Sequence, residues 1–190
     1  MNQLATRLRS LPFTPFASEL LSARLATRLG VGDRVALLVR VGGNDKAVNA
    51  QLKTMRAFGD SSDVDEAIWK SLRSIEPPDA STWRWSQLPT AFGDTWTSAD
   101  RAIRGLDEGY LHGNPARGVV RVIAAPTSRV NAAELTRAVR AFTGTLVIES
   151  LPAAAWAHVD SGVADDPVSR SIRRTFNPAA VLNAGILGGD

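Results

Sequence analysis

Two stretches constrain the fold most: Arg34–Val41 and Gly118–Ala125. Each is a nearly unbroken run of Val, Leu, Ile and Ala, and each is closed by a chain breaker, Gly42-Gly43 in one case and Pro126 in the other. Runs of this length and β-branched content read as strands in the middle of a sheet, with at least one face covered. Two more segments join them. Ser81–Leu88 alternates Trp83, Trp85 and Gln87 against Thr82, Arg84 and Ser86, the period of two of a half-buried strand, and Pro89 ends it. Thr145–Glu149 is the fourth strand, ended by Pro152.

Helices separate these strands. Asp45–Phe58 places Val48, Leu52 and Met55 on one side, and Gly59 closes it. Asp63 can cap a helix over 64–75 with Ile68, Trp69 and Leu72 inward, which Pro77-Pro78 stops. A short helix follows over 97–106, capped by Thr97 or Ser98. Asn131 caps a helix over 132–143 with Leu135, Val139 and Phe142 inward. The order is strand–helix–(inserted helix)–strand, then strand–helix–strand. It predicts an α+β fold, a ferredoxin-like antiparallel sheet with the helices 45–58 and 132–143 on one face. Before the sheet, Leu4 and Leu8 suit a helix over 2–10. The stripe Leu20, Leu21, Leu25 and Leu29 suits a second over 16–29, with Gly30 as its C-cap. The predicted domains are a helical segment over 1–33, the ferredoxin-like sandwich over 34–152, and a C-terminal helix and tail over 153–190.

The chain has 190 residues and is 44% hydrophobic and 22% charged, enough to bury a core. It contains no cysteine, which excludes disulfides, thiolate metal sites and a cysteine nucleophile. Its two histidines, His112 and His158, lie too far apart in sequence to form a local metal-binding pair, so no metal is expected and His158 reads as structural. The net charge of +3 is carried by arginines spread along the chain, with three lysines, and no basic block or aromatic–basic motif points to nucleic acid. No apolar run is long enough to cross a membrane, and the first residues lack a signal-peptide core, so a cytoplasmic protein is expected. No glycine-rich phosphate loop is present.

Two stretches carry chemistry. The first is Ser169–Gly188, in which Ile172 and Phe176 share a helix face among Arg170, Arg173 and Arg174; Asn177-Pro178 stops the helix, and Asn183-Ala184-Gly185 makes a turn. The second is Tyr110–Val122, in which His112, Gly113 and Asn114 lead into a Val-Val-Arg-Val strand. His112 has the side chain for a general base at neutral pH, and Gly-Asn-Pro is turn chemistry in its own right.

These segments resemble FAD-linked oxidases of the vanillyl-alcohol oxidase type. The chain keeps Arg173, Phe176, Pro178, Leu182, Asn183 and Gly185 of that family's C-terminal signature. It departs at Asn177, usually Asp, and at Ala184, usually Pro. The 110–122 segment is similar to a His/Ala-Gly-Asn-Gly stretch of the family's cap domain, with Pro115-Ala116-Arg117 inserted. Trp83-Arg84-Trp85, Leu37–Gly43 and Ile68–Leu72 extend the likeness, which is strongest to the glycolate oxidase branch. The resemblance implies a substrate-side domain that oxidises a 2-hydroxy acid with FAD. The flavin would be held mainly by a domain or subunit outside these residues, and the isolated chain would be inactive. It implies His112 as the catalytic residue, acting from a loop near the flavin edge, with Asn114 and Asn183 as cofactor-binding residues. The expected partners are the flavin-binding half and a small-molecule substrate. A non-enzymatic ferredoxin-like interaction module is the alternative.

Overall fold

The Trp83 and Trp85 side chains sit on one face of a six-stranded antiparallel sheet, and what covers each face sets the architecture. The computed structural model describes residues 2–104, 106, 108–125, 145–153 and 167–176. In chain order these form α1 (Asn2–Arg9), β1 (Ala17–Leu21), α2 (Ala23–Arg28), β2 (Ala36–Arg40), α3 (Asp45–Arg56) and α4 (Ala67–Arg73). Then come β3 (Ser81–Ser86), a 3₁₀ turn (Pro89–Ala91), α5 (Phe92–Ile103), β4 (Gly109–Asn114), β5 (Val119–Ala124), β6 (Thr145–Ser150) and α6 (Pro167–Phe176). The strand order is β2-β1-β4-β5-β3-β6. The chain divides into two units, residues 1–152 and 153–190, and α6 belongs to the second.

The fold is α+β around one antiparallel sheet, and the strands expected at 34–41, 81–88, 118–125 and 145–150 all lie in it. The run at 34–41, however, forms the edge strand β2 rather than a central one, paired only with β1. Two further strands complete it. Leu20 and Leu21 belong to β1, not to a helix over 16–29. The pairing of β1 with both β2 and β4 satisfies backbone groups that a helix would have bonded internally. The helix begins only at Ala23, where Ser22, with extended backbone, accepts the Leu25 N–H on its hydroxyl. The expected end is kept: Gly30 takes a φ of +72°, and Val31 N–H bonds Ala26 O. The second addition is β4, a strand where a loop was expected. Residues 1–33 therefore contribute a strand between β2 and β4 as well as helices.

Residues paired directly across strands share a face. Leu37, Leu20, Gly113, Val120, Trp85 and Leu146 make one row across the whole sheet; Leu111, Val122, Trp83 and Ile148 make the next. This face is apolar. Phe92 of α5 approaches it at Gly113, and Ile103 of α5 approaches it at Gly109. Both tryptophans are fully buried, with Phe92, Val120 and Val122. At the usual return of about 25 cal/mol per Å² of apolar surface, each tryptophan contributes several kcal/mol.

The opposite face is split. Toward one end Leu21, Leu38, Tyr110 and Ile123 pack with Leu25 and Ala26 of α2 and Ile68 and Leu72 of α4. Toward the other end it is charged. Helices thus cover both faces, because each carries large apolar side chains that no single layer can bury. The helix at 45–58 forms as α3 but buries none of its residues, and the one expected at 132–143 lies outside the described residues. α4 starts later than expected; its N-cap residue is Glu66, and just before it Asp65 accepts the Ala67 N–H on its carboxylate at 2.7 Å. α5 starts earlier, at Phe92. Among the described residues no helix is long and apolar enough to cross a membrane.

Candidate functional site

The charged part of the second face is built by register. Leu21, His112, Arg121, Arg84 and Val147 form one row across five strands. His112 projects from the middle of β4, with a strand on each side, so its backbone is fixed by ladders rather than by a loop. Its Nδ1 meets Glu19 Oε2 at 3.0 Å, and its side chain is 14% exposed. The carboxylate favours the tautomer with the proton on Nδ1, which leaves Nε2 as an acceptor. Nε2 is buried and has no hydrogen-bond partner among the described residues.

Beside it, Arg121 is the hub of an ion network. Its guanidinium meets Glu76 at 2.5 Å and bonds Glu149, and Glu149 also meets Arg84 at 3.3 Å. Burial pulls the Arg121 pKa down. The bonds to Glu149 and Glu76, with their charges, more than offset that and leave it above the ordinary arginine value. Glu76 comes from the segment after α4, so the network ties that connection to β5 and β6.

Asn114 ends β4 on the same face as His112, two residues on. Its Oδ1 accepts the Arg117 N–H at 3.0 Å and so closes the β4–β5 hairpin. Gly118 completes that turn at φ +68°, and a Cβ there would lie 2.1 Å from Gln87 O. The Asn114 side chain is therefore oriented by the turn, and its amide NH₂ is left to meet another group. Asn183 and His158 lie outside the described residues; His112 and Asn114 stand two residues apart on β4, each with a different partner. Among the described residues no group of three His, Cys, Asp or Glu is arranged to hold a metal.

Glu19 was hidden in the sequence because 16–29 carries a helical leucine stripe. Phe16-Ala17-Ser18-Glu19-Leu20-Leu21 does not alternate, so no local pattern marked it as a strand. Arg84, Arg121 and Glu149 were more legible, each being a charge interrupting an apolar strand. Next to Glu19 a groove of about 260 Å³ opens between the ends of β1 and β2 and α4, lined by Phe16, Glu19, Arg40, Trp69, Leu72 and Arg73. No protein-family model, curated protein or solved structure matches the chain.

Proposed function

We propose that this chain is the substrate-side part of an FAD-dependent oxidoreductase that oxidises a small 2-hydroxy acid, and that it works with a flavin-binding domain or subunit. The resemblance over 34–188 motivates the reading, and one geometric observation carries it: His112 is held through Nδ1 by Glu19 and keeps an unused Nε2. That arrangement suits removal of a hydroxyl proton. The substrate gives its O–H proton to Nε2 and a hydride from C2, and becomes the 2-keto acid. The flavin, when bound, supplies the hydride acceptor. The chain's own share is to hold the imidazole, orient the substrate and exclude water. Nε2 does not touch solvent in this chain, so His112 acts only where substrate or the flavin half displaces what covers it. An isolated chain would then be inactive. Asn114 NH₂ and Asn183 are the proposed contacts to the cofactor.

The purified chain, titrated with FAD by fluorescence quenching, should show no tight binding; a yellow protein as isolated, or submicromolar affinity, would refute the division of labour. Joined to its flavin half, His112→Ala should slow single-turnover flavin reduction with flavin content unchanged, and Asn183→Ala should loosen flavin retention. Reduction at the wild-type rate in His112→Ala removes its catalytic role.

The second reading, a non-enzymatic interaction module, is favoured by α6. Val168, Ile172 and Phe176 recur every four residues there and are 54–78% exposed. It predicts no turnover with any flavin-binding partner.

A further inference from the structure

We propose that the groove between the ends of β1 and β2 and α4 binds a small zwitterion, an α-amino acid with an apolar side chain. The proposal does not rest on the oxidoreductase reading. Its floor is Leu72, buried at 6% exposure. Its walls are the Trp69 and Phe16 rings. Phe16 is 71% exposed, yet its ring lies over Gly42 so closely that a Cβ there would sit 2.4 Å from it. One edge of the ring thus rests against Gly42, and Phe16 lines the groove.

The charges decide the ligand class. Arg40 is paired with Glu66. Arg73, at the end of α4, has no ion-pair partner among the described residues and offers a guanidinium to a carboxylate. Glu19 lines the same groove, and only its Oε2 meets His112. A simple anion would suit Arg73 but face Glu19. A simple amine would suit Glu19 but face Arg73. A molecule carrying both charges beside an apolar group satisfies all the lining residues at once. A volume of about 260 Å³ lies below the range usual for drug-sized ligands and fits one amino acid.

The test is calorimetric titration of the full chain with L-phenylalanine, 3-phenylpropionate and phenethylamine, which share the ring and differ only in charge. Phenylalanine should bind saturably, with Kd on the order of 0.1–1 mM for so few atoms. Each singly charged analogue should bind at least about tenfold more weakly, the loss of one charge-assisted hydrogen bond. Arg73→Gln should weaken phenylalanine about tenfold and leave phenethylamine unweakened. Phe16→Ala, a change at an exposed side chain that leaves the core intact, should weaken all three. Absence of saturable phenylalanine binding overturns the proposal. So does equal affinity for phenylalanine and phenylpropionate, or an Arg73→Gln protein that binds phenylalanine as before.

Discussion

Glu19 and His112, 93 residues apart in sequence, meet at 3.0 Å because β1 and β4 are neighbours in the sheet. His112 stands opposite Leu21 in the register, so Glu19 reaches it diagonally, from two residues along β1. This contact joins the proposed catalytic residue to the wall of the groove. Glu19→Ala leaves both ring nitrogens of a mostly buried histidine without a partner and should cost about 1–3 kcal/mol. Glu19→Gln keeps an acceptor and should cost less. A urea-denaturation cycle with His112→Ala checks this: the pair should show coupling of at least about 0.5 kcal/mol, and strict additivity would mean that the contact contributes nothing to stability.

That contact also shows how far the sequence could be read. Both long apolar runs bounded by Gly and Pro were legible as strands, but only the one at 118–125 is central; the one at 34–41 lies at the sheet edge, where β1, hidden in the sequence, is its only partner. The Trp83/Trp85 alternation put both rings on one face, which is buried, although Thr82 on the other face is buried as well. β1 was not legible. Leu20, Leu21, Leu25 and Leu29 satisfy a helix as well as they satisfy a strand followed by a helix, and only the pairing partners decide. β4 was obscured by its own composition, since Gly109, Gly113 and Asn114 are turn residues. Gly109 is explained by α5, whose Ile103 packs where a side chain would be, and Gly113 by the β5 backbone, whose Val119 O would lie 2.3 Å from a Cβ there. His112 is therefore legible as a residue but not as part of a strand, and Glu19 is not legible at all.

Arg121 should matter more than Arg84. Removing Arg121 leaves Glu76 and Glu149, each about one-quarter to one-third exposed, without their shared cation. Arg121→Ala should cost about 2–3 kcal/mol, less than a fully buried pair would because water screens part of the charge. Arg84 is 45% exposed and Glu149 keeps Arg121, so Arg84→Ala should cost under about 1 kcal/mol. The sign for pH follows from the raised Arg121 pKa. Its stabilising share is fully present below the unfolded-state value and is lost only as pH rises through the folded one, in strong alkali. The stability difference between wild type and Arg121→Ala should therefore show no arginine titration across the neutral range. A step there on the alkaline side would contradict the assignment.

Trp83 separates packing from polarity. Its ring is fully buried, while its Nε1–H has no hydrogen-bond partner among the described residues. Trp83→Ala should cost about 3–5 kcal/mol, the usual price of a large cavity. Trp83→Phe loses volume but also removes the unpaired donor, and should cost only about 1–2 kcal/mol. Denaturation midpoints at unchanged m-value read both. Equal costs would mean that the indole N–H has a partner or that the Phe ring fails to settle.

One substitution, glycine to alanine, should give two very different outcomes at the two turns that frame the site. At Gly118 a Cβ would meet Gln87 O at 2.1 Å, and the backbone sits at φ +68°. Gln87 N–H also bonds Gly118 O, so the two backbones are locked together and cannot part without losing that bond. Steric overlap and left-handed strain act together, and Gly118→Ala should cost at least about 3 kcal/mol. At Gly42 the predicted overlap is nearly as close, 2.4 Å, but the obstacle is the far edge of the Phe16 ring. That ring is mostly in solvent and can rotate away, so Gly42→Ala should cost under about 1 kcal/mol. The displaced ring is the groove wall, however. Gly42→Ala should therefore weaken phenylalanine binding while stability holds, whereas Gly118→Ala should lower stability first. Thermal melts and the calorimetric titration, run on both variants, separate the two. A strongly destabilised Gly42→Ala would show that Phe16 is pinned by more than its contact with Gly42.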